Sequence, residues 1–302
     1  MHYLVTGGAG FVGTNVVRQL LTDGHVVRVF DNYSSGKFSD RMQDRAEYIE
    51  GDINDMNSLS NAMKNVDGVF HLAAVPRMPY SVEHPQETNH VNVTGTLNVL
   101  VAARDAGVKR LVYSASSSAY GDQAVMPLVE TMKAKPLSPY GLQKFIGEEY
   151  CRLFAQLYSF EAVSLRYFNI YGPYMDPEGA YALVIGKFLK QRKEGKPMTI
   201  CGDGEYYRDY THVQDVVRAN IAAMTSKNVG RGEVINIGNN SPHSVNELAK
   251  LIGGEYVFVN PRAGDPRMTN ADISKAKQLL DWEPTITLED GIKELKKEWG
   301  IE

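Results

Sequence analysis

The sequence is short of cysteine, of basic excess and of long apolar runs, and each shortage removes a class of protein. Two cysteines in 302 residues, Cys151 and Cys201, are too few and too far apart for a disulfide framework or a metal-ligand spacing. Two reduced thiols of a cytoplasmic protein are the expectation, with no metal. A formal charge of −4 and a pI near 6.0 give no general attraction to nucleic acid or an anionic membrane, because those partners call for a clustered basic face. Any phosphate is then bound locally. No stretch approaches the ~18 uninterrupted apolar residues of a membrane span. Met1-His2-Tyr3-Leu4-Val5-Thr6 enters a strand at once, without the basic and apolar segments of a signal peptide. What is left is ordinary globular material, 43% hydrophobic and 23% charged, long enough to bury a substantial core.

The first half alternates short apolar runs with amphipathic stretches. Tyr3–Thr6, Val26–Phe30, Glu47–Glu50, Gly68–Leu72, Arg110–Ser114 and Ala162–Tyr167 read as strands, with helical periodicity clearest over Gly13–Asp23, Asn89–Ala106 and Tyr140–Phe160. Strand and helix in alternation imply a parallel sheet covered on both faces, a doubly wound α/β fold. After Phe168 the pattern loosens into Gly-, Pro- and Tyr-rich connections, with a return strand expected at Val234–Ile237 and a charged last helix near Leu288–Trp299. The expected division is a nucleotide-binding part, 1–168 plus about 208–238, and a smaller α/β substrate-binding part, 169–207 plus about 239–302.

Gly7, Gly10 and Gly13 follow the first strand and open the first helix, with Phe11 and Val12 between the last two. Glycines there permit a tight turn and let backbone approach a pyrophosphate, while the helix N-terminus offers free N–H groups and partial positive charge. Asp31 comes eighteen residues after Gly13, directly after the second strand, where a carboxylate accepts hydrogen bonds from the adenosine ribose and repels a 2′-phosphate. NAD, rather than NADP, is the cofactor expected. Asp52 and Ile53 follow the third strand, where a polar group meets the adenine amine or, equally, serves a turn.

Tyr140 and Lys144 stand four apart on a predicted helix, so the ammonium lies on the same face as the phenol. A free tyrosine titrates near ~10; the lysine and a positively charged nicotinamide both favour the phenolate. Ser138 as N-cap and Pro139 as first helical residue put Tyr140 in the first turn, where the helix dipole acts in the same sense. The serine run Ser114-Ala115-Ser116-Ser117-Ser118 ends the fifth strand, and carboxyl ends of parallel strands are where such sheets bind ligands.

Together these features resemble the extended short-chain dehydrogenase/reductase family, in its nucleotide-sugar epimerase/dehydratase branch. The resemblance runs along Leu72-Ala73-Ala74, Val91–Thr96, Ser114–Asp122, Pro136–Lys144, Arg166-Tyr167-Phe168-Asn169, Gly202–Glu205, Arg208-Asp209-Tyr210 and Gly264-Asp265. It implies a Rossmann fold, with Ser116, Tyr140 and Lys144 as catalytic residues and Ser117 in the sugar pocket. Asn32, Ser35, Gly36, Leu72, Ala73, Ala74, Asn92, Ser114, Tyr167 and Phe168 are implied as cofactor contacts, Phe168 at the nicotinamide. Asn169, Arg208, Arg262 and Asp265 are implied to hold the UDP moiety, with Arg267 a weaker third arginine or a solvated surface charge. An arginine fork suits a diphosphate better than a lysine does.

The activity implied is NAD-dependent 4-epimerisation of a UDP-hexose, closest to UDP-glucose and UDP-N-acetylglucosamine 4-epimerases. Sugar dehydratases of this branch carry Thr-Asp-Glu where this chain has Ser116-Ser117-Ser118, because eliminating water needs a further acid and base. The decarboxylases tend to a glutamate there. Keto-sugar reduction remains an alternative, as does an NAD-binding module without chemistry. Ala180-Tyr181-Ala182 and the segment 173–187 look closest to bacterial epimerases of N-acetylated UDP-hexosamines, and Thr269 falls where galactose-type enzymes often have a tyrosine, leaving room for a 2-acetamido group. Asn89–Ala106 and Tyr140–Phe160 resemble the helix pair of family homodimers; their apolar faces suit burial against the sheet equally well.

Overall fold

The computed structural model describes residues 1–76, 78–177, 183–260 and 266–301. Seven parallel strands form its centre: β1 (His2–Thr6), β2 (Val26–Asp31), β3 (Glu47–Glu50), β4 (Gly68–His71), β5 (Arg110–Ser116), β6 (Glu161–Tyr167) and β7 (Arg231–Ile237). Their spatial order is β7-β6-β5-β4-β1-β2-β3, so the direction of winding reverses between β1 and β4. That reversal opens a crevice at the carboxyl ends of the strands, the place where doubly wound sheets receive ligands.

Neighbouring residues along one strand enter different cores. Leu4 and Val69 face one side, with Leu59 of α2 (Met56–Ala62) and Met63 just after it, Val99 and Leu100 of α3 (Thr96–Asp105), and Cys151 and Phe154 of α4 (Pro139–Leu157). Tyr3, Val5 and Phe70 face the other, with Val16 and Leu20 of α1 (Phe11–Thr22) and Val216 and Val217 of α5 (Val213–Thr225). Burial on both faces is why these strands read as continuous apolar runs. Ala271, Ile273, Ala276, Leu280 and Trp282 join that second core. A third cluster, from Tyr171, Phe188, Ile200, Leu248 and Leu295 among others, lies under the residues after β6. Short strand pairs frame this region: Met198–Cys201 with Tyr256–Val259, Tyr207–Asp209 with Pro242–Ser244, and Ile170–Tyr171 with Thr211–His212.

The helix expected over Asn89–Ala106 is interrupted. Pro85–Asn89 is α-helical, His90–Gly95 is a π-helical turn, and α3 begins only at Thr96. The wider turn rotates Asn92 inward. Its Oδ1 accepts from Val75 N–H at 2.8 Å, and its Nδ2 donates to the Val75 carbonyl at 3.1 Å and to Gln143 Oε1 at 2.8 Å. Such local widening is common where a side chain is aimed at a site. Among the described residues no helix is long and apolar enough to cross a membrane. Both cysteines are free thiols.

Candidate active site

Bare backbone lines one end of the crevice. Gly7 sits at φ +70°, and a Cβ there would lie 2.6 Å from Ala73 N; a Cβ on Gly13 would lie 2.1 Å from the Gly7 carbonyl oxygen. Only glycine lets the turn after β1 pass this close to the end of β4 and to its own helix. Gly10 caps α1 without any side-chain hydrogen bond, and the first turn holds no acidic residue. The N–H groups that open this twelve-residue helix therefore have no capping side chain and no acid in their own turn, which fits a dinucleotide pyrophosphate.

Asp31 ends β2 beside this turn. Its carboxylate accepts N–H hydrogen bonds from Ala9 at 2.9 Å and Tyr33 at 2.8 Å, so it fixes the glycine loop as well as standing where a ribose would lie. Asn32 Nδ2 donates to Asp52 Oδ2 at 3.1 Å, while Asp52 Oδ1 takes both Asn54 N–H and Asn54 Nδ2. Asp52 thus holds a turn between the second and third strand ends. Ser35 and Gly36 lie exposed on the loop after β2, and Ile53 is buried beneath α3. Leu72, Ala73 and Ala74 continue from β4, partly exposed along the crevice.

The residues expected to be catalytic converge from β5 and α4. Ser138 Oγ accepts from Gly141 N–H at 3.1 Å as N-cap, and Pro139 is the first helical residue, which places Tyr140 in the first turn. The Tyr140 N–H, one of the donors a helix start leaves unpaired, goes to the Oγ of buried Ser81 at 3.0 Å. Lys144 is only 3% exposed; its Nζ donates to the Ser114 carbonyl at 2.7 Å and lies 5.0 Å from the Tyr113 ring centre. Ser116 caps the short turn Ser117–Ala119, and its Oγ accepts from Ser118 Oγ at 2.8 Å and from Ser118 N–H. With those acceptor positions filled, the Ser116 proton is free for Tyr140. Burial pushes the Tyr140 phenol up to about 12, and the hydrogen bond from Ser116 works against it. Burial likewise lowers Lys144 to about 8, opposed by Glu148.

Behind these groups lies a buried polar layer that sequence reading missed. His71 is held between Thr6 Oγ1 at 2.8 Å and Thr96 Oγ1 at 3.0 Å, and Thr96 donates on to the Asn92 carbonyl. Glu148 and Arg166 form a two-pronged ion pair at 2.8 and 2.6 Å. An i+4 spacing from Lys144 was the one local signal for Glu148.

Two residues expected to contact the cofactor have their rings in the core. The Tyr167 phenol donates to Asn220 Oδ1 on α5 at 2.9 Å, inside the core. Phe168 is fully buried and packs 6.2 Å from the Tyr120 ring. At the end of β6 both rings pack into the hydrophobic layer. On the opposite side, Asn169 Nδ2 donates to the Asp209 carbonyl and to Thr269 Oγ1, each at 3.2 Å. Arg208 is partly exposed next to them, its Nη1 on the Tyr207 carbonyl. Buried Asp209 accepts N–H bonds from Asn239, Asn240 and Ala271, which welds this strand to the loops after β7. Arg267 is turned away into an exposed fork with Asp203, both prongs 3.0 Å. Arg262 and Asp265, and the segment Ala180-Tyr181-Ala182, lie outside the described residues.

A glycine-lined slot, an acidic strand end and a Tyr-Lys-Ser group on one parallel sheet are the parts of a nucleotide-dependent sugar enzyme, and residues 3–238 match the model of the NAD dependent epimerase/dehydratase family. The chain belongs to that family. Its cofactor is NAD. The crystal structure of UDP-glucose 4-epimerase from Thermotoga maritima with UDP-glucose superimposes with a TM-score of 0.94, at 41% identity over 99% of this chain and 98% of that one. The UDP-N-acetylglucosamine 4-epimerase from Methanobrevibacter ruminantium, in complex with UDP-N-acetylmuramic acid, gives 0.91 at 32% identity over 98% of both chains. The UDP-glucuronate 4-epimerase of Thermodesulfobacterium geofontis is 36% identical over 97% of this chain and 94% of its own. These three are UDP-sugar epimerases that differ in the sugar, and UDP-glucuronic acid decarboxylase 1 of Xenopus tropicalis is also 34% identical over 96% of this chain and 70% of its own.

Proposed function

We propose that the protein interconverts the 4-epimers of a UDP-hexose. The observation that carries this reading is the arrangement at the end of β5: a Tyr140 phenol hydrogen-bonded by Ser116, a buried Lys144 fixed on the Ser114 carbonyl, and no carboxylate within Ser116–Ser118. Tyr140 takes the proton from the sugar 4-hydroxyl, with Ser116 sharing that proton and the Lys144 ammonium favouring the phenolate. Bound NAD supplies a reversible hydride acceptor for C4 of the sugar. The glycine turn Gly7–Gly13 and Asp31 hold the dinucleotide, with Asn32, Leu72, Ala73 and Asn92 along its path. Arg208 and Asn169, together with Arg262 and Asp265, anchor the UDP moiety while the oxidised sugar turns over and is reduced from its other face. Tyr140 then returns the proton. The absence of a carboxylate within Ser116–Ser118 disfavours dehydration, which needs a further acid and base to expel water.

Thr269 touches Asn169 through its hydroxyl, and a side chain this small at that wall accommodates a 2-acetamido group, so UDP-GlcNAc and UDP-GalNAc are substrates in this reading. Leu142, Leu153 and Leu157 of α4 are exposed, Leu157 at 68%, and a second copy of the chain covering this face accounts for them. The test incubates the purified protein with UDP-glucose, UDP-galactose, UDP-GlcNAc, UDP-GalNAc and UDP-glucuronate, with and without added NAD, and separates the 4-epimers by chromatography. Interconversion of an acetylated pair is expected. With NAD bound, no interconversion of any of the five contradicts the assignment and turns attention to keto-sugar reduction.

A further inference from the structure

An ammonium that must keep its charge is buried at this site, and the means of keeping it lie one helical turn away. Lys144 and Glu148 are four apart on α4, hence on one face. Glu148 is 1% exposed and Arg166 3%. Both carboxylate oxygens of Glu148 are engaged by the Arg166 guanidinium, Nε on one and Nη2 on the other. The guanidinium stands 4.4 Å over the Tyr120 ring, and Tyr120 donates to buried Asn236 on β7 at 2.7 Å. The carboxylate therefore has no freedom to swing.

The other groups around Lys144 supply no fixed negative charge. His71, from β4, is held down to about 3 by burial, with Lys144 acting in the same sense, and so is neutral at working pH. Tyr113, from β5, presents its ring face, and burial drives its phenol well above the ordinary range. Cys151, one turn beyond Glu148 on α4, is pushed to about 12 by burial and stays a thiol. Among the described residues, Glu148 is the one carboxylate acting on Lys144. A buried ion pair is a weak device for stability alone, so its placement beside the catalytic lysine needs another reason.

We propose that Glu148, clamped by Arg166, is a positioning residue that keeps Lys144 protonated and extended towards Ser114 and Tyr140. The proposal rests on the epimerase reading and deepens it. Without Glu148 the ammonium keeps the Ser114 carbonyl and the Tyr113 ring but has no carboxylate to offset burial and the uncompensated Arg166 charge. It deprotonates at lower pH, and the Tyr140 phenol loses the cation beside it.

The experiment uses the NAD-loaded protein, as wild type, Glu148→Gln and Glu148→Gln/Arg166→Gln. It reads the titration midpoint of Lys144 Nζ by ¹⁵N NMR and the alkaline limb of kcat with the best UDP-sugar. In Glu148→Gln both are expected to fall by ~1 pH unit or more, and in the double variant by less, since the repelling guanidinium has gone too. A loss of activity with both positions unmoved would mean a purely structural role and overturn the proposal. Should Glu148→Gln not fold, the neutral double variant decides alone: a midpoint below wild type supports the proposal, and one at or above it overturns it. The NMR midpoint needs no turnover, so a wild type that epimerises nothing counts against the enzymatic reading and leaves the Lys144–Glu148 coupling separately tested.

Discussion

Each half of the molecule holds an arginine–carboxylate fork. Glu148–Arg166 lies one turn along α4 from Lys144, with side chains 0% and 4% exposed; Asp203–Arg267 lies among the short strand pairs after β6, with side chains 55% and 59% exposed. The distances are similar, 2.6–2.8 Å against 3.0 Å. Their consequences are not. Water competes for every hydrogen bond of the exposed fork and screens its charges, whereas the buried fork exists only because each charge answers the other. The Tyr140–Lys144 pair is built beside the fork that water does not reach, and the exposed fork is a contact that can re-form.

The largest effect that sharpens this contrast is on stability. Arg166→Ala leaves a buried carboxylate without its partner and is expected to cost about 3–5 kcal/mol in urea unfolding; a loss below ~1 kcal/mol would place water at Glu148. Ser138→Ala removes the α4 cap that sets the first turn, at about 1 kcal/mol, and because Tyr140 is in that turn, kcat should fall further than stability implies. His71 gives a smaller, pH-dependent effect. Its pKa of about 3 lies below the unfolded value near 6.5, so between those limits the unfolded chain binds a proton the folded chain refuses. That contribution to stability is full above pH 6.5 and falls as the pH drops towards 3. In His71→Gln, the unfolding midpoint should therefore depend less steeply on pH across this window. At the bottom of the scale, Arg267→Ala and Asp203→Ala should leave the melting temperature unchanged within error. A clear drop for either would erase the contrast between the forks.

The parts of the site that depend on neighbours in the chain were legible in advance. The glycine turn, Asp31 at the strand end, Ser138-Pro139 at the helix start and the Tyr140–Lys144 pair are local patterns whose geometry follows from strand and helix periods. The sheet was equally readable, because both faces of its inner strands are apolar. Pairings across the fold were not. Glu148 resembled an ordinary charge on a helix face until β6 brought Arg166 against it, and Thr6, His71 and Thr96 come from three elements. Helical periodicity also hid the π turn at 90–95, since one wider turn shifts the pattern by a single residue. Strand Tyr256–Val259 is apolar yet 40–57% exposed, so hydrophobicity alone misreads its place. Tyr167 and Phe168 carried the family pattern while their rings fell to the core.

The most direct test of the account compares wild type with Tyr140→Phe, both loaded with NAD and given the same UDP-sugar, by the amount of 4-epimer formed. The substitution removes one oxygen and leaves the helix start, Lys144 and the nucleotide contacts in place. The account predicts a 10²- to 10⁴-fold loss of turnover with unchanged melting temperature and unchanged binding of the UDP-sugar. Epimerisation by Tyr140→Phe within a few-fold of wild type would contradict it, and would move the proton to a group other than the one this fold aims at the sugar.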